Sequence, residues 1–141
     1  MQVVLVRHGT AGDRATWRGE DSLRPLDARG RRQAAALPRM LSGLPVTRIL
    51  TSPYVRCVQT VEPLAAAFGM GLEEAPGLAE GAARADVIAL LGTTGAGTVL
   101  CTHGDVCHEL VGGRRTPKGS VWLLDVGARG IAPERHIGAA R

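Results

Sequence analysis

The sequence contains almost no lysine and few aromatic residues. Lys118 is the only lysine among the 17 basic residues, and Phe, Trp and Tyr together make up 3% of the chain. Proteins that bind nucleic acid stack bases on aromatic side chains and cluster their basic residues, whereas the basic residues here are scattered. Nucleic acid is therefore not an expected partner.

Arginine supplies nearly all of the positive charge, and the formal net charge is +4. The planar guanidinium group binds two phosphate oxygens at once, so this composition favours anionic ligands such as phosphorylated molecules. A biased genomic composition explains the arginine content equally well.

Cysteine is also scarce, and long apolar runs are absent. Cys57, Cys101 and Cys107 lie in predicted core elements, and an odd number of cysteines is not typical of a disulfide framework. The apolar run after Met1 ends at Arg7, which makes it too short for a signal peptide or a membrane-spanning helix. We expect a cytoplasmic protein with no membrane partner.

The chain has the length of one domain, which we expect to span residues 1–141. Apolar residues 3–6 predict a short strand in the middle of a parallel sheet. Arg7, His8 and Gly9 follow this strand at once. Ligands bind beyond the carboxyl ends of strands in open α/β sheets, so these three residues are candidates for a binding site.

The rest of the chain alternates predicted helices and strands. Asp27 is a suitable N-cap for a helix over 28–36, which Pro38 should kink or end, although the helix can continue irregularly to Leu41. Ser52 and Pro53 suit the N-cap and the first position of a helix over 54–68. Further helices are expected over 85–91 and 105–111, and further strands over 46–51, 72–74, 98–101, 121–126 and 131–136.

This alternation predicts an α/β fold, a single-domain three-layer α/β/α sandwich with a mainly parallel sheet and an antiparallel hairpin at one edge. Residues 10–26 lack periodicity, which indicates a long loop over the ligand crevice. Arg24 is the better anion-binding candidate in this loop because Pro25 restricts its backbone. Arg14 and Arg18 are expected to be solvated.

A second histidine, His103, follows the strand over 98–101. Arg56 lies in the first turn of the helix over 54–68, where a cation is unfavourable unless an anion is bound there too. With adjacent strand ends, Arg7, His8, Arg56 and His103 would surround one tetrahedral anion. One imidazole can attack phosphorus while the arginines hold the nonbridging oxygens, so no metal or other cofactor is required.

Cys101, His103, Cys107 and His108 lie within eight positions and raise the alternative of a zinc site. The spacing argues against zinc, because no C-x-x-C pair is present and the next histidine, His136, is distant. We expect no metal ligands here, and ordinary structural roles for His108 and His136.

Three segments resemble the motifs of one family. Residues 5–10 read LVRHGT, residues 52–60 read SPYVRCVQT, and residues 102–104 read THG. In this order they resemble the histidine phosphatase superfamily, also called phosphoglycerate mutase-like. The resemblance implies the fold of that family, with His8 as the phosphorylated nucleophile.

The same resemblance implies further roles. Arg7, Arg56 and His103 would form the phosphate pocket, and Glu80 would donate a proton to the leaving group. The predicted substrate-binding residues are Gly9, Thr10, Arg24 and Gly104. Of these, Gly9 is expected to let the backbone approach the ligand, because it has no Cβ.

The length and the Arg24-Pro25-Leu26 segment look most like the small SixA-like phosphohistidine phosphatases. Residues 118–122 are also similar to the phosphatase domain of bacterial Nudix–histidine phosphatase fusion proteins, although the Nudix half is not present here. The asparagine that mutase-like members carry shortly after Arg-His-Gly is absent. Mutase activity is therefore not expected.

The expected function is a metal-independent phosphatase that forms a phosphohistidine intermediate and acts on phosphohistidine proteins or small phosphomonoesters. A nucleotide or polyphosphate phosphatase is the alternative, favoured if Arg114, Arg115 and Lys118 line the pocket. A phosphate-binding regulatory protein with little turnover is a third hypothesis, against which the pair His8 and His103 argues. The sequence leaves open the physiological substrate, the oligomeric state and the roles of these three basic residues.

Overall fold

Short apolar runs form the central strands of one six-stranded sheet in the computed structural model, which describes residues 1–141. The strands are β1 (Gln2–Arg7), β2 (Arg48–Thr51), β3 (Leu72–Glu74), β4 (Thr98–Thr102), β5 (Val121–Gly127) and β6 (Gly130–Ile137). The helices are α1 (Ala28–Met40), α2 (Val55–Phe68), α3 (Arg84–Thr94) and α4 (Gly104–Leu110). Short 3-10 turns occur at Asp21–Leu23 and Pro76–Leu78.

The strand order is β3-β2-β4-β1-β5-β6. The pairs among β3, β2, β4 and β1 are parallel, while β5 is antiparallel to both β1 and β6. The predicted mainly parallel sheet with an antiparallel edge is thus confirmed. The expected position of β1 is partly wrong, because β1 lies where the parallel part of the sheet meets the antiparallel part.

Apolar side chains of the strands alternate between two cores, one on each face of the sheet. Val3 and Leu5 pack with α3 and α4, and Val4 and Val6 pack with α1 and α2. This alternation follows from the two-residue period of a strand. The three-layer α/β/α arrangement is therefore confirmed.

The helix boundaries show where local signals and tertiary contacts disagree. Asp27 caps α1 as expected and accepts a hydrogen bond from the Gly30 N–H at 2.8 Å. The helix continues through Pro38 to Met40, because the buried side chains of Leu37 and Leu41 hold its last turn in the core. Likewise, α3 extends to Thr94, beyond the expected end at residue 91.

The predicted N-cap of α2 is wrong. The helix begins at Val55 and its N-cap, Tyr54, makes no side-chain capping bond. Ser52 instead contacts His103, since its Oγ lies 2.8 Å from the His103 Nε2. The residue that looks like a cap belongs to the neighbouring strand end.

The parallel register aligns the ends of three strands. Arg7 pairs with Thr102, and Thr51 pairs with Cys101. The residues that follow these strands, Ser52, His8 and His103, consequently lie close to one another above one edge of the sheet. No helix in the structure has both the length and the apolar character needed to cross a bilayer.

Candidate active site

The two histidines that the sequence places at separate strand ends are neighbours in the structure. The ring centroids of His8 and His103 are 5.4 Å apart, in an edge-to-face arrangement. Both side chains are buried, His8 with 6% and His103 with 1% of its surface exposed. The strand register therefore brings together two residues that are 95 positions apart along the chain.

His8 has a fixed tautomer. Its Nδ1 lies 2.7 Å from the carbonyl oxygen of Gly9, a contact that requires the ring proton on Nδ1. Burial lowers the pKa of His8 to about 3; the Gly9 hydrogen bond opposes this shift, and the charges of His103, Arg56 and Arg7 add to it. The ring is consequently neutral at physiological pH, and its unprotonated nitrogen is Nε2.

Arg7 is held beside His8 by the loop that precedes β5. Its Nη1 donates to the Thr116 carbonyl oxygen at 2.9 Å. Gly104 makes room for this side chain, since a Cβ at position 104 would lie 2.7 Å from the Arg7 Cζ. Gly104 and Arg7 also line the same cavity.

The His103 ring packs edge-on against His8. The Ser52 Oγ accepts a hydrogen bond from the Tyr54 N–H at 3.3 Å, which leaves its own hydrogen for the His103 Nε2. The Tyr54 ring packs edge-on against His103, with 4.6 Å between the ring centroids. These contacts fix the orientation of His103.

Arg56 is fully buried in the first turn of α2 and is paired with an acid that the sequence did not single out. Its Nη1 donates to the Asp21 carbonyl oxygen at 2.8 Å, and its Nη2 to the Asp21 Oδ2 at 2.9 Å. Asp21 belongs to the long loop over the site. Nothing in the sequence distinguishes it from Asp13 and Glu20, the other acidic residues of that loop.

Glu80 reaches the site through the same network. Its Oε1 lies 2.9 Å from the Arg14 Nη2 and 3.7 Å from the Arg56 Nη2. Arg14 is largely exposed, as expected, and it also contacts both Glu80 and Asp21. The hydrogen bond and charge of Glu80 raise the pKa of Arg14 above its ordinary value.

A cavity of about 560 Å³ opens over these residues. Its charged and imidazole-bearing lining residues are Arg7, His8, Asp13, Arg14, Arg24, Glu80, Asp105 and Lys118. Only one lining residue is hydrophobic. The lining therefore suits a charged, strongly hydrated ligand rather than an apolar one.

Three buried side-chain nitrogens in the protein have no hydrogen-bond partner in the chain. They are the Nε atoms of Arg7 and Arg56 and the Nδ1 of His103. Buried polar atoms are nearly always paired, so a cluster of unpaired ones requires an explanation. All three belong to residues expected to hold phosphate, and the oxygens of a phosphate group are suitable acceptors for them.

The remaining predicted binding residues have different surroundings. The Gly9 N–H donates to the Thr60 Oγ1 at 3.0 Å, and a Cβ on Gly9 would lie 2.9 Å from the Gly30 carbonyl oxygen. Gly9 is thus needed for packing against α1, and the expectation that it brings the backbone to the ligand is not supported. It does not line the cavity.

Thr10 and Arg24 are held by protein groups. The Thr10 Oγ1 donates to the Asp27 Oδ1 at 2.6 Å. Arg24 lines the cavity, and its Nη1 donates to the Gly12 carbonyl oxygen while its Nε donates to the Asp21 Oδ1. Arg24 therefore holds the loop in place around the site.

The cysteines are core residues. Cys101 and Cys107 are fully buried in the cores on opposite faces of the sheet, which separates these two proposed zinc ligands. Burial raises the pKa of the Cys107 thiol to about 12. No group of three or more His, Cys, Asp or Glu side chains is arranged to hold a metal ion.

A phosphatase is among the known proteins with a similar sequence. The chain is 38% identical over 144 aligned positions to an 8-oxo-(d)GTP phosphatase of Mycolicibacterium smegmatis, an alignment covering 88% of this chain and 44% of that protein. The chain thus spans less than half the length of this relative.

Two solved structures share the fold along almost the whole chain. The protein histidine phosphatase SixA complexed with tungstate has a TM-score of 0.77 and 24% identity, covering 97% of this chain and 96% of that one. A SixA from Agrobacterium tumefaciens, described as a putative phosphohistidine phosphatase, has a TM-score of 0.79 and 19% identity, covering 97% of each chain.

The sequence model of the histidine phosphatase superfamily (branch 1) matches residues 3–86. This segment is more than half of the chain and contains the first two motifs. The resemblance noted in the sequence is thereby confirmed, and the chain belongs to the histidine phosphatase superfamily.

Proposed function

We propose that this protein is a metal-independent phosphatase that forms a phosphohistidine on His8, and that it acts on phosphohistidine proteins or small phosphomonoesters. The observation that carries the proposal is the hydrogen bond that the His8 Nδ1–H donates to the Gly9 carbonyl oxygen at 2.7 Å. A nucleophilic nitrogen needs a free lone pair, and this bond leaves the lone pair on Nε2.

The surrounding side chains suit the transfer step. The Nε2 of His8 forms a bond to phosphorus while the bond between phosphorus and the leaving group breaks. Arg7, Arg56 and His103 stabilise the charge on the nonbridging oxygens. Water then hydrolyses the phosphohistidine and releases inorganic phosphate.

Glu80 is the proposed proton donor to the leaving group, because it lines the cavity beside Arg14. A carboxyl group in this position can protonate a departing alkoxide. Phosphohistidine substrates depend on this step less, since their leaving nitrogen departs readily.

We treat residues 1–141 as one histidine phosphatase domain, because all six strands belong to one sheet. The three cysteines are free thiols, which supports a reducing cytoplasm as its compartment. The similar SixA structures support phosphohistidine as a substrate.

A nucleotide or polyphosphate phosphatase is the second candidate. The relative from Mycolicibacterium smegmatis is an 8-oxo-(d)GTP phosphatase, and Lys118 lines the cavity here. Arg115 lines a neighbouring cavity instead, and Arg114 lies over the Trp122 ring, 4.6 Å from its centroid. Two of the three basic residues considered for this role are therefore outside the active-site cavity.

Hydrolysis of p-nitrophenyl phosphate in the presence of EDTA tests the proposal. We expect wild-type turnover to survive the chelator and His8→Ala to lower it at least about 10⁴-fold, because the nucleophile is lost. Phosphate should also be trapped on His8 in the wild-type protein. His108→Ala is the matched control, since His108 is exposed on α4 and outside the cavity.

Turnover by His8→Ala close to that of the wild type would contradict the proposal. Phosphate binding without turnover in the wild type would instead favour the regulatory hypothesis. If the enzyme is active, comparison of kcat/KM for a phosphohistidine protein and for nucleoside polyphosphates decides between the two substrate classes.

A further inference from the structure

A second cavity, which we call the cationic groove, adjoins the active-site cavity. Its volume is about 400 Å³, and it is lined by the basic residues Arg7, Arg29, Arg115, Lys118 and Arg141, with no Asp or Glu. Arg7 and Lys118 line both cavities. A phosphate bound at His8 would therefore have this groove as its immediate neighbour.

The groove differs from the active site in its charge balance. Arg14, Arg24 and Arg56 each lie within 4.0 Å of a carboxylate oxygen. Arg29, Arg115 and Lys118 form no such ion pair.

Asp27 is the acid whose charge acts on Arg29 and Lys118, and its Oδ1 already accepts from Thr10 and Gly30. Uncompensated like charges raise the local positive potential and attract an anion. The basic residues of the groove are thus available to bind an anion, whereas the paired arginines of the active site already contact carboxylates.

The backbone keeps the groove beside the catalytic strand end. The Gly119 N–H donates to the carbonyl oxygens of Arg7 and His8, at 3.1 and 3.0 Å. Gly119 has a φ of +79°, and a Cβ there would lie 2.9 Å from the Gln33 Cδ. The backbone at Lys118 is consequently held next to the end of β1 by the adjoining residue.

We propose that the cationic groove binds a second phosphate of the substrate, so that organic di- and triphosphates are the preferred class. This proposal rests on the phosphatase function proposed above and favours the second of its two candidate substrate classes. The Nε2 of His8 bonds to the terminal phosphorus, the bridging P–O bond breaks, and its electron pair leaves on the shortened organic phosphate. Water then cleaves the N–P bond to release inorganic phosphate.

The groove suits this leaving group better than it suits an alcohol. A departing phosphate keeps its charge near Arg7 and Lys118, whereas a neutral alcohol gains nothing from them. An acidic protein surface around a phosphohistidine is the competing occupant. Two adjacent cavities that share two basic residues favour a compact ligand with neighbouring phosphates.

Calorimetric binding of methylenediphosphonate and methylphosphonate tests the groove without requiring turnover. In the wild-type protein we expect the diphosphonate to bind at least about tenfold more tightly, because it adds charge-assisted contacts. The double variant Arg29→Gln/Arg115→Gln should lose most of this advantage. Arg31→Gln is the matched control, since Arg31 is exposed on the same helix and lines neither cavity.

The substrate assay gives a second readout. In the double variant, the ratio of kcat/KM for a nucleoside diphosphate to kcat/KM for p-nitrophenyl phosphate should fall about tenfold, and Arg31→Gln should not change it.

Equal binding of the two phosphonates by the wild-type protein would overturn the groove proposal, as would an unchanged preference in the double variant. If kcat/KM of the double variant fell only for a phosphohistidine protein, the proposal would be overturned in favour of a protein partner. Absence of aryl phosphate turnover combined with a diphosphonate preference would contradict the phosphatase function and leave the groove supported.

Discussion

The two strand ends that form the site share a strand–histidine–glycine pattern but have different surroundings. His8 lines the cavity and donates from Nδ1 to a backbone carbonyl oxygen. His103 is outside the lining, with its Nε2 bonded to Ser52 and its Nδ1 unpaired. The two histidines therefore differ in their hydrogen-bond partners and not in their motif, which supports the different roles that we propose for them.

The glycines of the two motifs differ in the same way. A Cβ on Gly9 would approach the backbone of Gly30 in α1, whereas a Cβ on Gly104 would approach the guanidinium group of Arg7. Backbone cannot give way as the end of a side chain can. Gly9 thus belongs to the packing of the fold, and Gly104 to the placement of a site residue.

The largest effect on activity is expected from substitution of the histidines themselves. We predict that His103→Gln lowers kcat for p-nitrophenyl phosphate about 10²- to 10³-fold, because one stabilising contact to the phosphoryl group is lost. This loss is smaller than that expected for His8→Ala. Phosphate should still be trapped slowly on His8, since the Gly9 contact that fixes its tautomer remains.

Thermal unfolding provides the control for folding of His103→Gln. A kcat within tenfold of the wild type would show that His103 does not contact the transferred group. If no phosphate could be trapped on His8 in this variant, the two histidines would not have the separate roles proposed for them.

The two glycine substitutions are expected to have smaller effects. One should act mainly on activity and the other mainly on stability. Gly104→Ala is expected to lower kcat/KM about ten- to hundredfold through displacement of Arg7, with little change in the free energy of unfolding. Gly9→Ala is expected to lower the free energy of unfolding by about 1–3 kcal/mol, because an added methyl group overpacks a backbone contact. Urea unfolding and steady-state kinetics on both variants check these expectations.

The reverse pattern would refute this assignment of the two glycines. A Gly104→Ala variant with normal kinetics and lowered stability would mean that Arg7 is not positioned by position 104. A Gly9→Ala variant as stable as the wild type would mean that α1 can shift away from β1.

The sequence predicted what depends on local pattern. Apolar runs followed by Arg7-His8 and His103 identify strand ends, and parallel strands necessarily align those ends at one edge of the sheet. The cap at Asp27 was predictable for the same reason, because a capping side chain acts within one turn.

The sequence could not predict contacts made by residues without periodicity. Asp21 and Arg14 lie in the loop over the site, and only the folded chain brings them to Arg56 and Glu80. Ser52 has the local signal of a helix cap, but its hydrogen bond to His103 depends on strand pairing. Pro38 shows the opposite effect, since burial of its neighbours overrides its tendency to end a helix.

The smallest expected effect concerns the protonation of His8. It should hardly change between about pH 5 and 8, the range in which an ordinary histidine titrates. Burial, the largest cause, lowers the pKa of His8 from 6.5 to about 3, so its ring resonances in NMR spectra should not shift over this range. Below pH 6.5 the unfolded chain takes up a proton at His8 that the folded chain accepts only near pH 3. The stability that His8 contributes is therefore fully present above pH 6.5 and is lost as the pH falls towards 3.

His8→Asn should flatten the dependence of the free energy of unfolding on pH in this window, because no group at position 8 then binds a proton. A His8 midpoint near 6.5 would mean that the imidazole is hydrated and often protonated. It would then lack the free Nε2 lone pair that the proposed attack on phosphorus requires.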